Sequence, residues 1–232
     1  MWSYFLQEKS EAFDAFKRFK SLVEKASGHK ILCLRTDRGG EFTSSEFNEY
    51  CSTHGITRQL TATYSPQQNG VAKRRNRTLM NMVRCMLIAR DVPKQYWPEP
   101  ANLAIHILNR CPTTALANIT PENAWKNRTP SMQHFKVFGC IGHVHLQNAS
   151  RKKLDNKSIK CVFMGINEES KAFRMYDPET QKIIISRDVI FKEMEKWDWN
   201  QSGETTSQDF LCAEIDEKEK NEDSPRIREQ EI

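Results

Sequence analysis

Ile31-Leu32-Cys33-Leu34-Arg35-Thr36-Asp37-Arg38-Gly39-Gly40-Glu41-Phe42 is the stretch on which the fold turns. The four apolar residues Ile31 to Leu34 form a run suited to a short buried strand. Asp37 lies just past its end, and Gly39-Gly40 marks a turn. A carboxylate there matters because ligands of open α/β sheets bind beyond the carboxyl ends of strands. Upstream, Phe13, Phe16, Phe19, Leu22 and Val23 recur at helical spacing, with Ser10 as a suitable N-cap and Gly28 as a suitable stop. Downstream, a helix is expected from Ser44 or Ser45, presenting Phe47, Tyr50 and Cys51 and stopping at Gly55. A strand over 56–61 follows. Trp2 to Leu6 reads as a further short strand. Strand, helix and strand in alternation predict α/β layering.

Further along, 64–70 reads as a polar loop. A long helix is expected over 71–90, with Leu79, Met82, Val83, Met86 and Leu87 on its buried face and Pro93 beyond its end. Another helix lies within 95–110. Thr120-Pro121-Glu122 predicts a short capped helix with Pro at its first position. From Phe135 the pattern changes to short strands, with Asp177-Pro178-Glu179-Thr180 as a hairpin turn. A small antiparallel barrel is the expected result. Residues beyond 200 lack apolar periodicity and read as a disordered acidic tail.

The 232 residues carry a net charge of +5. That figure hides an asymmetry. Residues 200–232 hold ten Asp/Glu and four Lys/Arg, and the rest hold 31 Lys/Arg against 20 Asp/Glu, a net +11. A basic body predicts a polyanionic partner. No apolar run reaches the roughly 18–20 residues of a membrane span, so no membrane partner is expected. Seven scattered cysteines without a C-x-x-C pair read as free thiols. With no signal peptide evident, the expected location is nuclear or cytoplasmic, not secreted.

Thirty-five residues separate Asp37 from Lys73, which lies in Ser65-Pro66-Gln67-Gln68-Asn69-Gly70-Val71-Ala72-Lys73-Arg74-Arg75-Asn76-Arg77. The two blocks resemble the integrase core of copia-type retrotransposon Pol polyproteins. Other blocks in the same order carry the resemblance further: His54-Gly55-Ile56, Asn109-Arg110-Cys111-Pro112, His134-Phe135-Lys136-Val137-Phe138-Gly139-Cys140 and Ser186-Arg187-Asp188-Val189-Ile190-Phe191. It covers nearly all of residues 1–199. The resemblance implies an α/β RNase H-like integrase core with its N-terminal strands missing (1–112, trailing helices included). A connector (113–134), a small SH3-like β-barrel (135–199) and the acidic tail (200–232) follow. Two parts of the family pattern fall outside this sequence: the zinc-binding His/Cys module and the strand bearing the first catalytic Asp. Residues 1–90 alone are therefore expected to be poorly stable unless another chain completes the sheet.

The family's reaction is metal-dependent strand transfer, in which two ions activate an attacking hydroxyl and stabilise the leaving oxygen. Mg²⁺ or Mn²⁺ is the implied cofactor, held by carboxylates because such ions want hard oxygen ligands. Asp37 is the surviving acid and the candidate metal ligand. Lys73 stands where the family has Glu. A charged ammonium has no lone pair, and at salt-bridge distance it would pair with Asp37 in the metal's place, worth a few kcal/mol at roughly 4 Å. Glu41 is expected to point elsewhere as a structural residue of its turn. The chain is therefore expected to be catalytically inactive.

DNA contact is expected to survive better. Lys73, Arg74, Arg75 and Arg77 crowd the start of the long helix, Arg77, Asn81 and Arg84 form one stripe, and Gln68 and Asn69 match family positions near DNA. Helix N-termini favour phosphate, and phosphate contacts position without reading sequence. Arg151, Lys152, Lys153, Lys157 and Lys160 form a second basic cluster. His143 and His145 share a strand face without a third ligand, and read as structural. Trp97, Trp125, Trp197 and Trp199 read as packing anchors. The implied partners are DNA and an intact integrase or a second copy. Two other readings remain open: a non-catalytic DNA-binding module, and a relic reading frame.

Overall fold

The computed structural model describes residues 1–62, 69–146 and 156–200. The expected loop at 64–70 falls almost wholly outside these residues, as do Arg151, Lys152, Lys153 and the acidic tail.

The first half is an α/β unit. A 3-10 turn, Lys9–Glu11, leads into α1 (Ala12–Ser27), which ends at Gly28. Gly28 sits at φ 70°, where its N–H returns to the Glu24 carbonyl at 2.9 Å. β1 (Cys33–Thr36) is shifted two residues along from the apolar run Ile31–Leu34, ending just before Asp37, and it is not the buried strand expected: only Thr36 of its four residues is buried. A short α2 (Gly40–Thr43) precedes α3 (Ser45–Thr53), whose N-cap Ser44 accepts a hydrogen bond from Phe47 N. β2 (Thr57–Leu60) runs parallel to β1, pairing Cys33 with Thr57 and Thr36 with Leu60. Phe16, Phe47, Cys51 and Ile56 form the buried core of this layer, with Phe13, Leu34 and Phe42 packed around them.

Trp2–Leu6 does not form the expected strand. A strand needs a ladder partner for its N–H and C=O groups, and none pairs with this segment among the described residues. Its rings pack instead: Trp2 edge-on to Phe19 and Trp125, and Phe5 edge-on to Trp97. The only partner of β1 among the described residues is β2, and Leu32 beside it is 74% exposed.

α4 (Gly70–Ala89) and α5 (Pro98–Arg110) follow, the latter opening on proline as its missing N–H allows. α6 (Pro121–Lys126) is capped by Thr120, whose hydroxyl accepts from Asn123 N at 3.1 Å. The remaining strands are β3 (Cys140–His145), β4 (Ser158–Asn167), β5 (Ala172–Asp177), β6 (Lys182–Ser186) and β7 (Val189–Lys196). They make one antiparallel sheet in the order β6-β5-β4-β3-β7. The β5–β6 turn is held by Asp177, which accepts from Glu179 N and from the Thr180 hydroxyl.

The helices and the sheet share one core. Val83 and Leu87 of α4 and Ala101 and Leu103 of α5 pack with Ile141, Val162, Phe163 and Met175. Two polar ties fasten the end of α4 to β7: Arg90 donates to the Glu193 carbonyl at 2.7 Å, and Lys196 pairs with Asp91 at 2.5 Å. Gly139, at φ 75°, passes so close to α4 that a Cβ there would lie 2.7 Å from Arg90 Cβ.

Candidate nucleic-acid interface

Asp37 sits at the carboxyl ends of the two parallel strands, half-buried, with Oδ1 accepting from Gly39 N at 3.2 Å. Its carboxylate thus caps its own turn. Arg38 Nε donates to the Thr61 carbonyl at 2.9 Å, tying the turn to the end of β2. From β2, Arg58 braces the far side: it donates to Asn48 Oδ1 at 3.1 Å and to the Phe42 carbonyl at 2.6 Å, over the Phe47 ring. Glu41 folds back over Gly39, close enough that a Cβ on Gly39 would lie 2.6 Å from Glu41 Oε2. A glycine at 39 leaves that carboxylate its room.

α4 carries five cations and no carboxylate. Its residues 71–78 are all exposed, so Lys73, Arg74, Arg75 and Arg77 all face water. Asn69 is the N-cap but makes no side-chain cap bond, so it does not satisfy the first-turn N–H groups. Arg84 is exposed and donates to Asn81 at 3.1 Å, which places these two on one stripe. Lys73, Arg74, Arg75 and Arg84 make no ion pair among the described residues. The expected Lys73–Asp37 pair is therefore not formed. Its absence follows from placement: Lys73 projects from a helical turn into solvent, whereas Asp37 is turned onto its own backbone. Gln68 lies outside the described residues. Lys160 lies on β4 with Nζ 5.4 Å from the Trp197 ring, and Lys157 just precedes that strand.

A second polar constellation gathers residues to which the sequence gives no site role, although Arg110 and His134 lie in blocks quoted above. His106 of α5 is buried, with Nδ1 2.6 Å from Glu168 Oε1 and Nε2 2.9 Å from His134 Nε2. Arg110, one turn on, pairs with Glu122 of α6 at 2.8 Å. His106, Arg110, Glu122 and Glu168 border a cleft of about 800 Å³ between α5, α6 and the β4–β5 turn, which the Glu99–Arg174 pair also lines. The i, i+4 spacing of His106 and Arg110 is the one local signal. The bond between His106 and Glu168 spans 62 positions and leaves no local trace.

Residues 140–206 match the family described as the retroviral polymerase SH3-like domain, which accounts for the five-stranded sheet. Over 195 residues, 84% of its length, the chain is 46% identical to the retrovirus-related Pol polyprotein from transposon TNT 1-94 of Nicotiana tabacum. The chain belongs to the retrovirus-related Pol polyproteins of transposons. It is also 35% identical, over 83% of its length, to the Pol polyprotein from transposon RE2 of Arabidopsis thaliana. The chain spans only 15% and 13% of those two relatives. Among solved structures it is similar to the HTLV-2 integrase catalytic core domain in complex with magnesium (TM-score 0.39, 24% identity, 52% of this chain and 71% of that one). An α/β part, then helices, then the SH3-like sheet is the order present.

In this Pol segment the expected site residues divide in two. The cations of α4 are brought together on one exposed stretch. Asp37 is not joined by further acids: no group of three His, Cys, Asp or Glu among the described residues could hold a metal ion. Asp37 alone, already accepting from Gly39, does not make the oxygen-rich shell that a divalent ion needs. His143 and His145 alternate along β3 with no third ligand among the described residues.

Proposed function

We propose that this chain is the integrase portion of a transposon Pol polyprotein, that it holds DNA through α4, and that it is inactive in strand transfer. The observation that carries this reading is α4 itself: a helix without a carboxylate, whose exposed first turns hold four cations, starting with Lys73 where the family pattern has Glu. Surface cations exchange their counterions for phosphates at little cost, which favours sequence-tolerant binding. The first-turn N–H groups of α4, to which the Asn69 side chain makes no cap bond, add donors for the same partner.

The family's role is metal-dependent DNA integration. A divalent ion would polarise the phosphodiester and the attacking hydroxyl. In this chain Lys73 replaces a ligand with a positive charge, so Asp37 is left as a turn cap. An intact integrase or a second copy would then supply the chemistry, in the nucleus or the cytoplasm.

The test uses labelled duplex bearing element ends, with Mg²⁺ or Mn²⁺. The expected result is salt-sensitive binding and no joined product. Joined product that disappears in Asp37→Ala would overturn the inactive reading. Binding unchanged in the triple variant Arg74→Ala, Arg75→Ala, Arg77→Ala would overturn α4 as the interface.

A further inference from the structure

We propose that the contact between His106 and His134 is a one-proton latch that holds the connector before β3 against α5 and opens on acidification. Donor and acceptor roles fix where the hydrogens sit. Ionised Glu168 can only accept, and it lies 2.6 Å from His106 Nδ1, so that nitrogen carries hydrogen. Arg110 Nη1 lies 2.9 Å from the same nitrogen but has two acceptors for its own hydrogens, the His106 carbonyl at 3.2 Å and Glu168 Oε1 at 3.5 Å, so it leaves the hydrogen on Nδ1 in place. A neutral His106 then has a bare Nε2. His134 Nε2, 2.9 Å away, must donate to it. The two rings therefore hold opposite tautomers, each fixed by its neighbour.

One added proton is compatible with this arrangement, because both Nδ1 atoms can then carry hydrogen while a single hydrogen lies between the two Nε2 atoms, with the positive charge on the His106 side, next to Glu168. A second is not. Two imidazolium rings would point N–H at N–H across 2.9 Å with like charges.

The surroundings offer little to offset that second charge. The charged or titratable groups around the pair are His106 and Arg110 of α5, Glu122 of α6, Glu168 of the β4–β5 turn and His134 itself. Of the two carboxylates, Glu122 already pairs with Arg110 and Lys126. Phe135 closes the remaining side, with ring centroids 5.7 Å from His106 and 5.0 Å from His134. Burial, followed by the charges of His106 and Arg110, pushes the His134 pKa below its ordinary value. A depressed folded value means that stability is present above the ordinary His value and is lost as pH falls below it. What opens is the attachment of His134 and Phe135 to α5, while Lys136, Val137 and Gly139 stay fastened to Glu193 and Phe163.

The experiment is pH-resolved NMR of the full chain, reading the histidine ring nitrogens and the amide exchange of Phe135, whose N–H donates to the Met132 carbonyl beside the contact. At pH 7.5 His106 should carry hydrogen on Nδ1 and His134 on Nε2. Below the midpoint, the opening equilibrium at Phe135, corrected for intrinsic exchange, should grow by about tenfold per pH unit for one proton. His134→Gln keeps a donor that does not titrate, and should abolish this step while leaving the protection at pH 7.5 in place. The proposal is overturned if both rings show the same tautomer, if they titrate independently, or if the acid step persists in His134→Gln. The tautomer reading needs no variant, so it stands even if a substitution fails to fold.

Discussion

Arg174 of β5 and Glu99 in the first turn of α5 are joined by two parallel hydrogen bonds, Nε to Oε2 at 3.0 Å and Nη2 to Oε1 at 2.6 Å. Both side chains are largely shielded, at 31% and 17% exposure. A fork of this kind is stronger than a single ion pair because both donors and both acceptors are used at once. It joins helix to sheet at the edge of the cleft. Glu99→Gln should keep the shape but remove the charge pairing, at a cost of about 1–3 kcal/mol. Urea unfolding checks this, with Arg174→Lys as the companion: lysine cannot reproduce the fork, and the loss should be similar.

Gly139→Ala should cost more than an ordinary surface change. The residue lies in the left-handed region at φ 75°, and the added Cβ would meet Arg90 Cβ at 2.7 Å. The left-handed strain alone is about 1–2 kcal/mol, and separating α4 from the sheet adds to it. Thermal unfolding of the two forms measures the sum.

Neutralising Lys73, Arg74 and Arg75 together should weaken DNA binding about equally for unrelated sequences. The slope of log affinity against log salt should flatten by about 0.9 for each phosphate that is no longer neutralised. Filter binding at three salt concentrations decides it. A sequence-selective loss would point instead to base recognition.

Thiol chemistry should separate the cysteines cleanly. Cys33 and Cys85 are exposed, and Cys140 and Cys161 are buried. Burial, with Asp177 nearby, pushes the Cys161 thiol up to about 12, and burial beside Glu193 pushes Cys140 up to about 11. Both should stay protonated and unlabelled by a maleimide at neutral pH until the protein unfolds, while Cys33 and Cys85 react at once.

Glu168 should contribute to acid lability. The hydrogen bond from His106, together with the charges of His106 and Arg110, holds its carboxyl down to about 2 against an ordinary 4.5. Between those values the unfolded chain binds the proton first. The stability from this group is thus present above 4.5 and is lost as pH falls toward 2. Its side chain is 63% exposed, so water screens the effect. Glu168→Gln should flatten that part of the stability curve below pH 4.5.

What can be read from the sequence is what depends on near neighbours. α1, α3, α4 and α6 declare themselves through periodicity and through Ser44, Gly28 and Thr120–Pro121, because caps and amphipathic faces are local devices. The basic face of α4 is equally legible. Trp2–Leu6 reads as a strand and is not one, because a strand is a property of two segments and only one is in view. Asp37 falls at a strand end as expected, but its expected bond to Lys73 does not form, since spacing along a chain fixes an element and not the reach of a side chain. The His106–Glu168–His134 network joins three separate elements, so no window of sequence contains it.

Lys73 faces water, belongs to neither apolar core and enters no ion pair among the described residues, so folding is blind to what stands there. A charge reversal to glutamate should alter stability by no more than about 0.5 kcal/mol, and the sign should be favourable near a helix N-terminus. Foldability is thus uncoupled from the charge carried at residue 73: one codon could reverse it without the rest of the molecule registering it.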